Sequence, residues 1–194
     1  GKKVKRAVKG NRSIEFEELK LLQPGVSWSP DGRKIVIAAK AGSKDAFHII
    51  NIRNGDSKKI PFDLEGVFTP KWSPDGMRLA FVGNKNSASD IYTIDLNTNE
   101  IVNLTSDIFS DSEPSWHPSS SKLLFVSDRG TKIDRVPTTA VDMIDHNFEQ
   151  NNIYSIDINT KVVEKITNSS SNKNYPVYAN TENVIFYTSD YNGT

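Results

Sequence analysis

A pentapeptide recurs in this chain at a fixed spacing. Trp-Ser-Pro-Asp-Gly stands at residues 28–32 and again, 44 residues later, at residues 72–76. A third copy, Trp-His-Pro-Ser-Ser, begins another 44 residues on at Trp116, and a fourth aromatic residue, Tyr178, follows 62 residues after that. A fixed period of this length with strand-like content is typical of the blades of a β-propeller. The repeat therefore predicts a stack of similar small sheets.

The pentapeptide itself predicts a tight turn and not a catalytic site. Proline presets φ for the first central position, aspartate bonds the backbone two residues on, and glycine takes the left-handed position that follows. This combination predicts a three-residue hairpin loop with a bulge glycine. Ser120 stands in the third copy where Gly32 and Gly76 stand in the first two. We therefore expect a residue with a Cβ to adopt the left-handed conformation there.

Four strands are expected in each repeat. The first is short and ends at the aromatic residue; its proline, as in Pro70 or Pro114, belongs at the strand's first residue or at an edge, because proline lacks the ladder N–H. A near-continuous apolar run follows the turn, as in residues 78–83, and predicts a strand buried on both faces. The third strand carries Asp/Asn-Ile-Tyr-x-Ile-Asp, at residues 90–95 and 152–157. The fourth is short, and its charges suit an outer edge.

These segments predict an all-β fold, a β-propeller of four-stranded antiparallel blades, with about three and a half blades in the chain. The expected blades are residues 26–66, 67–111 and 112–174, with a partial one at 175–194. The pentapeptide turn, the apolar second strand and the Asp-Ile-Tyr-x-Ile-Asp strand resemble the repeats of the TolB-type β-propeller family. That resemblance covers residues 26–194 and implies a part of a larger, closed ring. An open stack leaves apolar faces at both ends, so self-association or other domains are expected to cover them.

Residues 1–25 are expected to form a basic arm or linker. The sequence has 24 basic and 24 acidic residues, yet its first twelve residues hold six basic side chains and no acid. No aromatic residues stand between these charges to stack on bases, so we expect no nucleic-acid partner. Residues 13–22 predict either a short helix capped by Ser13 or a strand against a neighbouring blade. No apolar run reaches the roughly 18 residues needed for a membrane span.

The sequence favours a non-enzymatic role. It has no cysteine, which excludes a thiolate nucleophile and a cysteine zinc site, and no Gly-x-Ser-x-Gly elbow of a serine hydrolase. His48 is expected to pack within a third strand, and His117 to be solvated in a turn. His146 lies among acids at residues 142–146, but without a second cluster the ligands are too few for a metal site. We therefore expect no catalytic residues, no metal and no cofactor.

The loop after the third apolar strand is 18 residues longer than its counterpart in the second repeat. Long insertions on a rigid scaffold often carry binding residues. This one keeps apolar side chains among charged ones, which either fold back onto their own blade or face a partner. The residues predicted to contact a protein partner are Arg129, Arg135, Met143, Ile144, His146 and Phe148.

The family resemblance implies a scaffold for protein–protein interaction in a periplasmic or secreted setting. The same repeat also occurs in the propeller of the prolyl oligopeptidase family, where it screens a separate hydrolase domain. The alternative is therefore the propeller of a serine hydrolase whose catalytic part lies outside this sequence. The repeats predict the blade, and they leave the identity of the partner open.

Overall fold

The computed structural model describes residues 18–19, 25–41, 44–86, 88–130, 150–168, 170–180 and 184–190. Within these residues the chain forms fifteen β-strands and no helix, so none of the described segments is a helix long and apolar enough to cross a membrane. The all-β prediction is confirmed. In chain order the strands are β1 Glu18–Leu19, β2 Val26–Trp28, β3 Lys34–Ala41, β4 Lys44–Asn51, β5 Ser57–Pro61, β6 Gly66–Trp72, β7 Arg78–Lys85, β8 Ala88–Asp95, β9 Ile101–Asn103, β10 Asp111–Trp116, β11 Lys122–Ser127, β12 Asn152–Asp157, β13 Val163–Lys165, β14 Lys173–Tyr178 and β15 Ile185–Ser189.

The strands form four antiparallel sheets that follow one another along the chain. The first holds β1 to β5, the second β6 to β9, the third β10 to β13 and the fourth β14 and β15. The aromatic residue of each repeat occupies the same place in its sheet: Trp72 lies opposite Leu79, and Trp116 opposite Leu123. Trp28 and Tyr178 have the equivalent partners. The propeller-blade prediction is therefore confirmed, with three complete sheets and a two-stranded fourth among the described residues.

The segment before the first repeat contributes a strand. Glu18 and Leu19 pair with Lys40 and Ala39 of β3, on the same edge that β2 uses further along. For these two residues the helix alternative is wrong and the strand alternative is right. The pairing satisfies backbone groups at the end of β3 that the short β2 does not reach. The rest of residues 13–22 lies outside the described residues.

The predicted turns are present. The Gly32 N–H donates to the Ser29 carbonyl at 2.8 Å, and the Gly76 N–H donates to the Ser73 carbonyl at 2.9 Å. Both glycines are left-handed, with φ of 67° and 76°. The Asp31 carboxylate accepts from the Arg33 N–H at 3.0 Å and from the Ser29 hydroxyl at 2.6 Å. The Ser29 and Asp31 side chains thus stabilise the turn itself.

Ser120 takes the same position in the third turn, with φ of 60°, as expected. Its N–H donates to the His117 carbonyl at 2.9 Å. The Ser120 hydroxyl also accepts from the Asp75 N–H at 3.1 Å, which links the third turn to the second. Glycine could not make this contact, so the serine offsets part of its backbone strain by joining two sheets.

Replacing Gly76 by valine is expected to lower the free energy of unfolding by about 1–2 kcal/mol, because a left-handed φ strains a β-branched residue. The space around Gly76 is open enough for a Cβ, since the nearest atom lies 3.8 Å away. The effect is therefore one of backbone conformation. Urea denaturation measures it, and Met77→Val, one residue on, is the control. Equal midpoints for both variants would contradict the left-handed assignment.

The sheets stack face to face and share apolar cores. Between the first and second sheets, the rings of Phe47 and Phe62 lie within 4.7 Å of each other, and both contact the Phe81 ring. Between the second and third sheets, Ala80 and Val82 pack in one cluster with Phe125 and others. Alternate residues of β7 therefore enter two different cores. This explains why the second strand of each repeat is apolar along its whole length.

The fourth sheet presents an open apolar face. Phe186 on β15 is 64% exposed, whereas Ala80 and Leu124, its equivalents in the second and third sheets, are fully buried. Val177, opposite Phe186, is also exposed. Open apolar faces were expected at the ends of the stack. That self-association or other domains cover this face stays a prediction.

Candidate functional site

The first strands of successive sheets lie side by side. β6 packs against β2 and β10, and β10 also packs against β14. The Trp72 N–H donates to the Ser27 hydroxyl at 2.9 Å, and the Trp116 indole N–H donates to the Lys71 carbonyl at 2.9 Å. These bonds join β2 to β6 and β6 to β10. We call β2, β6, β10 and β14 the inner strands.

Three inner strands carry the same irregularity. Their pairing with the following strand skips a residue between Phe68 and Lys71, and at the equivalent positions of β10 and β14. In each gap one residue other than glycine is left-handed: Thr69 with φ of 44°, Glu113 with 54° and Tyr175 with 55°. Each such conformation costs about 1–3 kcal/mol, and such residues cluster at functional sites.

Of the two places expected for the prolines of these strands, the first residue is wrong and the edge is right, because β6 and β10 are edge strands of their sheets. β6 starts at Gly66, before Pro70, and β10 starts at Asp111, before Pro114. Each proline instead follows the left-handed residue at the bulge. Proline has no N–H to donate to the ladder, and a bulge leaves one residue of the strand unpaired. The bulge therefore accommodates the proline.

The inner strands line a cleft, here called the inner cleft, with a volume of about 740 Å³. Rings and prolines make up much of its wall, among them Trp72, Trp116, Pro74, Pro114, Tyr175 and Pro176. Lys71 and Glu113 bring one charge of each sign. The Tyr175 side chain is 68% exposed. An apolar wall with a few polar groups is the usual composition of a binding site.

Glu113 is the half-buried charge of the inner cleft. Its carboxylate accepts a hydrogen bond from the Tyr175 N–H of the next inner strand. Burial raises the pKa of Glu113 above its ordinary value, while that hydrogen bond and the nearby Lys71 oppose the change. A carboxylate in such surroundings attracts a cation more strongly than a fully solvated one, because the local dielectric constant is lower.

A second polar site, here called the Arg129 cluster, lies between the second and third sheets. It consists of Arg129 with Asp90, Asp107, Asp111 and Asp128. The Arg129 Nη2 atom lies 2.7 Å and 2.8 Å from the two Asp111 carboxylate oxygens and 3.1 Å from an Asp107 oxygen. The Arg129 side chain is 4% exposed. The Arg129 guanidinium group is therefore the cation that binds the Asp107 and Asp111 carboxylates.

Aromatic rings surround the same guanidinium group. Its central carbon lies 4.9 Å from the Phe125 ring centre and 5.5 Å from that of Tyr154. The Tyr154 hydroxyl donates to the Gly130 carbonyl at 2.5 Å, and burial raises the pKa of Tyr154 to about 12. Tyr154 thus remains a neutral donor at physiological pH. Arg129 and Gly130 stand at the start of the long loop, so this end of the loop is fixed to the core of the third sheet.

A family model described as the TolB β-propeller domain matches residues 10–136. The chain belongs to this family. A comparison with curated protein sequences gives no match.

Solved structures with the fold of this TolB-family chain include proteins of different kinds. TolB from Acinetobacter baumannii is 24% identical, with a TM-score of 0.66 over 84% of this chain and 36% of that one. An oligogalacturonate lyase in complex with manganese is 17% identical, with a TM-score of 0.58 over 79% and 42%. A puromycin hydrolase is 12% identical, with a TM-score of 0.57 over 80% and 23%. Such identities establish the fold alone, and this chain spans about a third of the TolB structure.

The residues predicted to contact a partner fall into two groups. Arg129 is buried inside this TolB-type propeller, whereas the sequence analysis expected it at a binding surface. The physical reason is the pair of carboxylates, Asp107 and Asp111, that bind it from the preceding loop and strand. The other five, Arg135, Met143, Ile144, His146 and Phe148, lie outside the described residues.

The two described histidines stand apart from the inner cleft and from each other. His48 is buried on β4, as expected. His117 is partly buried and not simply solvated, since its Nδ1 lies 2.7 Å from the Ser119 hydroxyl and its ring meets the Tyr178 ring edge-on at 4.7 Å. The prediction that residues 142–146 hold no metal concerns residues outside those described.

Sequence reasoning missed Glu113 and Tyr175. Both precede a proline, and both stand three residues before the aromatic residue of their repeat. Since proline disfavours helical conformations in the residue before it, the pattern favours an extended strand and not a left-handed bulge. The sequence did offer one signal for these positions: in three repeats a residue stands directly before a proline at the same place.

Proposed function

We propose that this TolB-type propeller segment is a non-enzymatic scaffold for protein–protein interaction. In this proposal an extended segment of the partner occupies the inner cleft. The observation that carries the proposal is the recurrence of a strained residue, Glu113 or Tyr175, on neighbouring inner strands that line one cleft. Strain repeated in this way favours a role in binding, because packing alone would be served by unstrained strands.

The chemistry of the inner cleft suits a polypeptide. Tyr175 and the prolines offer rigid apolar surface, which loses little conformational entropy on binding. Glu113 can accept from a lysine, an arginine or a backbone N–H, and Lys71 can meet a carboxylate. Opposite charges on neighbouring strands would set the direction of a bound chain.

The proposed setting is the periplasm or the outside of the cell. Membership of the TolB propeller family and the absence of cysteine from the sequence support it. Residues 131–149 are proposed to add to the partner surface, with Arg135, Met143, Ile144, His146 and Phe148 as the contacts.

Peptides selected against the wild-type protein from a random displayed library are expected to lose affinity when Glu113 is changed to glutamine. The loss should be about tenfold or more, because a hydrogen bond to a charged group contributes roughly 1.5–3 kcal/mol. Tyr175→Ala should weaken binding similarly by removing the most exposed ring of the inner cleft. Fluorescence anisotropy with labelled peptides measures both affinities.

Matched controls exist on the same chain. Glu100→Gln makes the same chemical change in the exposed turn between β8 and β9, and Tyr187→Ala removes an exposed ring of β15 that is not part of the cleft wall. Equal affinities for the cleft variants and their controls would refute binding in the inner cleft. In the same assay, replacing residues 133–149 by a Gly-Ser linker tests the insertion: unchanged affinity would remove it from the proposed surface.

The second candidate is the propeller of a serine hydrolase, and the structural likeness to a puromycin hydrolase favours it. In that case the catalytic serine lies in a separate domain of a longer protein. The sequence encoded next to this segment would then contain a Gly-x-Ser-x-Gly elbow. The inner cleft would then be a path for substrate towards the catalytic domain, and its affinity would not differ among peptides.

A further inference from the structure

Among the described residues, the Arg129 cluster holds more carboxyl groups than its guanidinium group can balance. Asp90 comes from β8, Asp107 from the loop before β10, Asp111 from β10, and Asp128 from the segment after β11. The Asp111 residue is completely buried, and the Asp107 side chain is 3% exposed. With Asp90, Asp107 and Asp111 ionised, three carboxylates with oxygens within 4.8 Å of one another would lie beside one guanidinium group in the part of the chain that the structure describes. Burying unbalanced charge is strongly unfavourable, and groups in that position give up their charge.

Hydrogen bonds stabilise part of this charge. Asp90 accepts from the Asn103 amide at 2.8 Å and from the Thr105 hydroxyl at 3.2 Å. Asp128 accepts from the Ser110 N–H at 2.9 Å.

Asp107 accepts from the Phe109 N–H at 2.9 Å, and Asp111 accepts from Arg129 and has a further hydrogen bond with the Ser127 side chain. Tyr154, the titratable group that faces the cluster from β12, is neutral and adds no positive charge. Asp107 and Asp111 contact the same guanidinium nitrogen and so lie close to each other, and two buried carboxylates at such a distance favour sharing a proton.

We propose that the folded protein holds one extra proton in the Arg129 cluster, shared by Asp107 and Asp111, and that the junction of the second and third sheets therefore weakens as the pH rises towards neutrality. The proton links two carboxyl groups on one guanidinium nitrogen. Its loss leaves them to repel each other within a buried space. The two groups titrate as a pair and not independently.

The direction of the pH dependence follows from the burial. Burial raises the pKa of Asp111 to about 7 from its ordinary value of 3.8, and it also raises the pKa of Asp107, in both cases against the opposing charge of Arg129. Between about pH 4 and pH 7 these two groups thus bind more protons in the folded protein than in the unfolded chain. Their contribution to the free energy of unfolding falls as the pH rises through this window, which is the reverse of ordinary acid denaturation.

The test compares the urea stability of the wild-type protein with that of Asp111→Asn from pH 5 to pH 8. Asparagine keeps the size and the acceptor of a protonated aspartate without its titration. The ratio of the two unfolding constants, wild type over variant, is expected to rise about tenfold for each pH unit between pH 5 and pH 7. The contributions of the three histidines cancel in this ratio. Asp95→Asn, a change at the end of β8 outside the Arg129 cluster, is the control and should leave its own ratio constant.

Infrared spectroscopy gives a second measurement, and its main result comes from the wild-type protein alone. At pH 6 the wild-type protein should show the C=O stretch of a protonated carboxyl group, and this band should vanish above pH 8. Asp95→Asn should retain it, and Asp111→Asn should lose it. A wild-type spectrum without the band at pH 6 would overturn the proposal, and so would a stability ratio that stays constant with pH.

Discussion

Replacing Arg129 by methionine is expected to lower the free energy of unfolding by about 3–5 kcal/mol, the usual range when one partner of a buried ion pair is removed. Methionine can fill the space between the Phe125 and Tyr154 rings. It cannot bind the Asp111 and Asp107 carboxylates, which stay buried. The loss would therefore come from charge left without a partner and not from a cavity.

Chemical denaturation of Arg129→Met beside Arg33→Met measures this effect. Arg33 has an exposed side chain in the first turn, so its variant should change the free energy of unfolding by less than about 0.5 kcal/mol. Adding Asp107→Asn and Asp111→Asn to Arg129→Met should restore part of the loss, because those changes remove the unpaired charges. A loss below about 1 kcal/mol in the single variant would contradict the structural role assigned to Arg129.

Phe81→Ala is expected to lower the free energy of unfolding by about 3–5 kcal/mol, the range for truncating a buried aromatic side chain. Phe81 is fully buried, and its ring lies 5.1 Å from Phe47, 4.9 Å from Phe62 and 5.5 Å from Tyr92. Phe81→Ala removes a side chain that packs against residues of both the first and the second sheet. Both sheets should therefore lose stability together.

The matched control is Phe186→Ala, which makes the same change on the open face of β15. Phe186 is largely exposed, so its loss should change the free energy of unfolding by less than about 0.5 kcal/mol. Hydrogen exchange then shows where the Phe81 variant weakens, with faster exchange expected in β3, β4, β7 and β8. A similar loss for both variants would mean that the Phe186 face is covered in solution.

The sequence predicted those parts of the fold that depend on local chemistry. The left-handed positions of Gly32 and Gly76 followed from the turn residues, and the burial of β7 on two faces followed from its apolar run. Ser120 was correctly expected to be left-handed because the repeat placed it in register with the two glycines.

The parts that depend on distant contacts could not be predicted in the same way. The sequence places Arg129 at the start of a polar insertion, and only the folded chain brings Asp107 and Asp111 to it. Glu113 and Tyr175 precede prolines, which locally favour an extended backbone. Their left-handed conformation belongs to the bulge in each inner strand, and the sequence indicates this position only by the recurrence of a residue before proline.

The bulge in the inner strands also limits how this family can change in length. Trp116 and Asp111 are five residues apart, an odd number that would place them on opposite faces of a regular strand. Because of the bulge they lie opposite Leu123 and Ser127, which are four residues apart, and so they share a face. Val67 and Trp72 follow the same rule in the second sheet and enter one core. Deleting a single residue here would turn Asp111 away from Arg129, so insertions and deletions in the inner strands should be tolerated in evolution only in pairs, while the outer turns can vary one residue at a time.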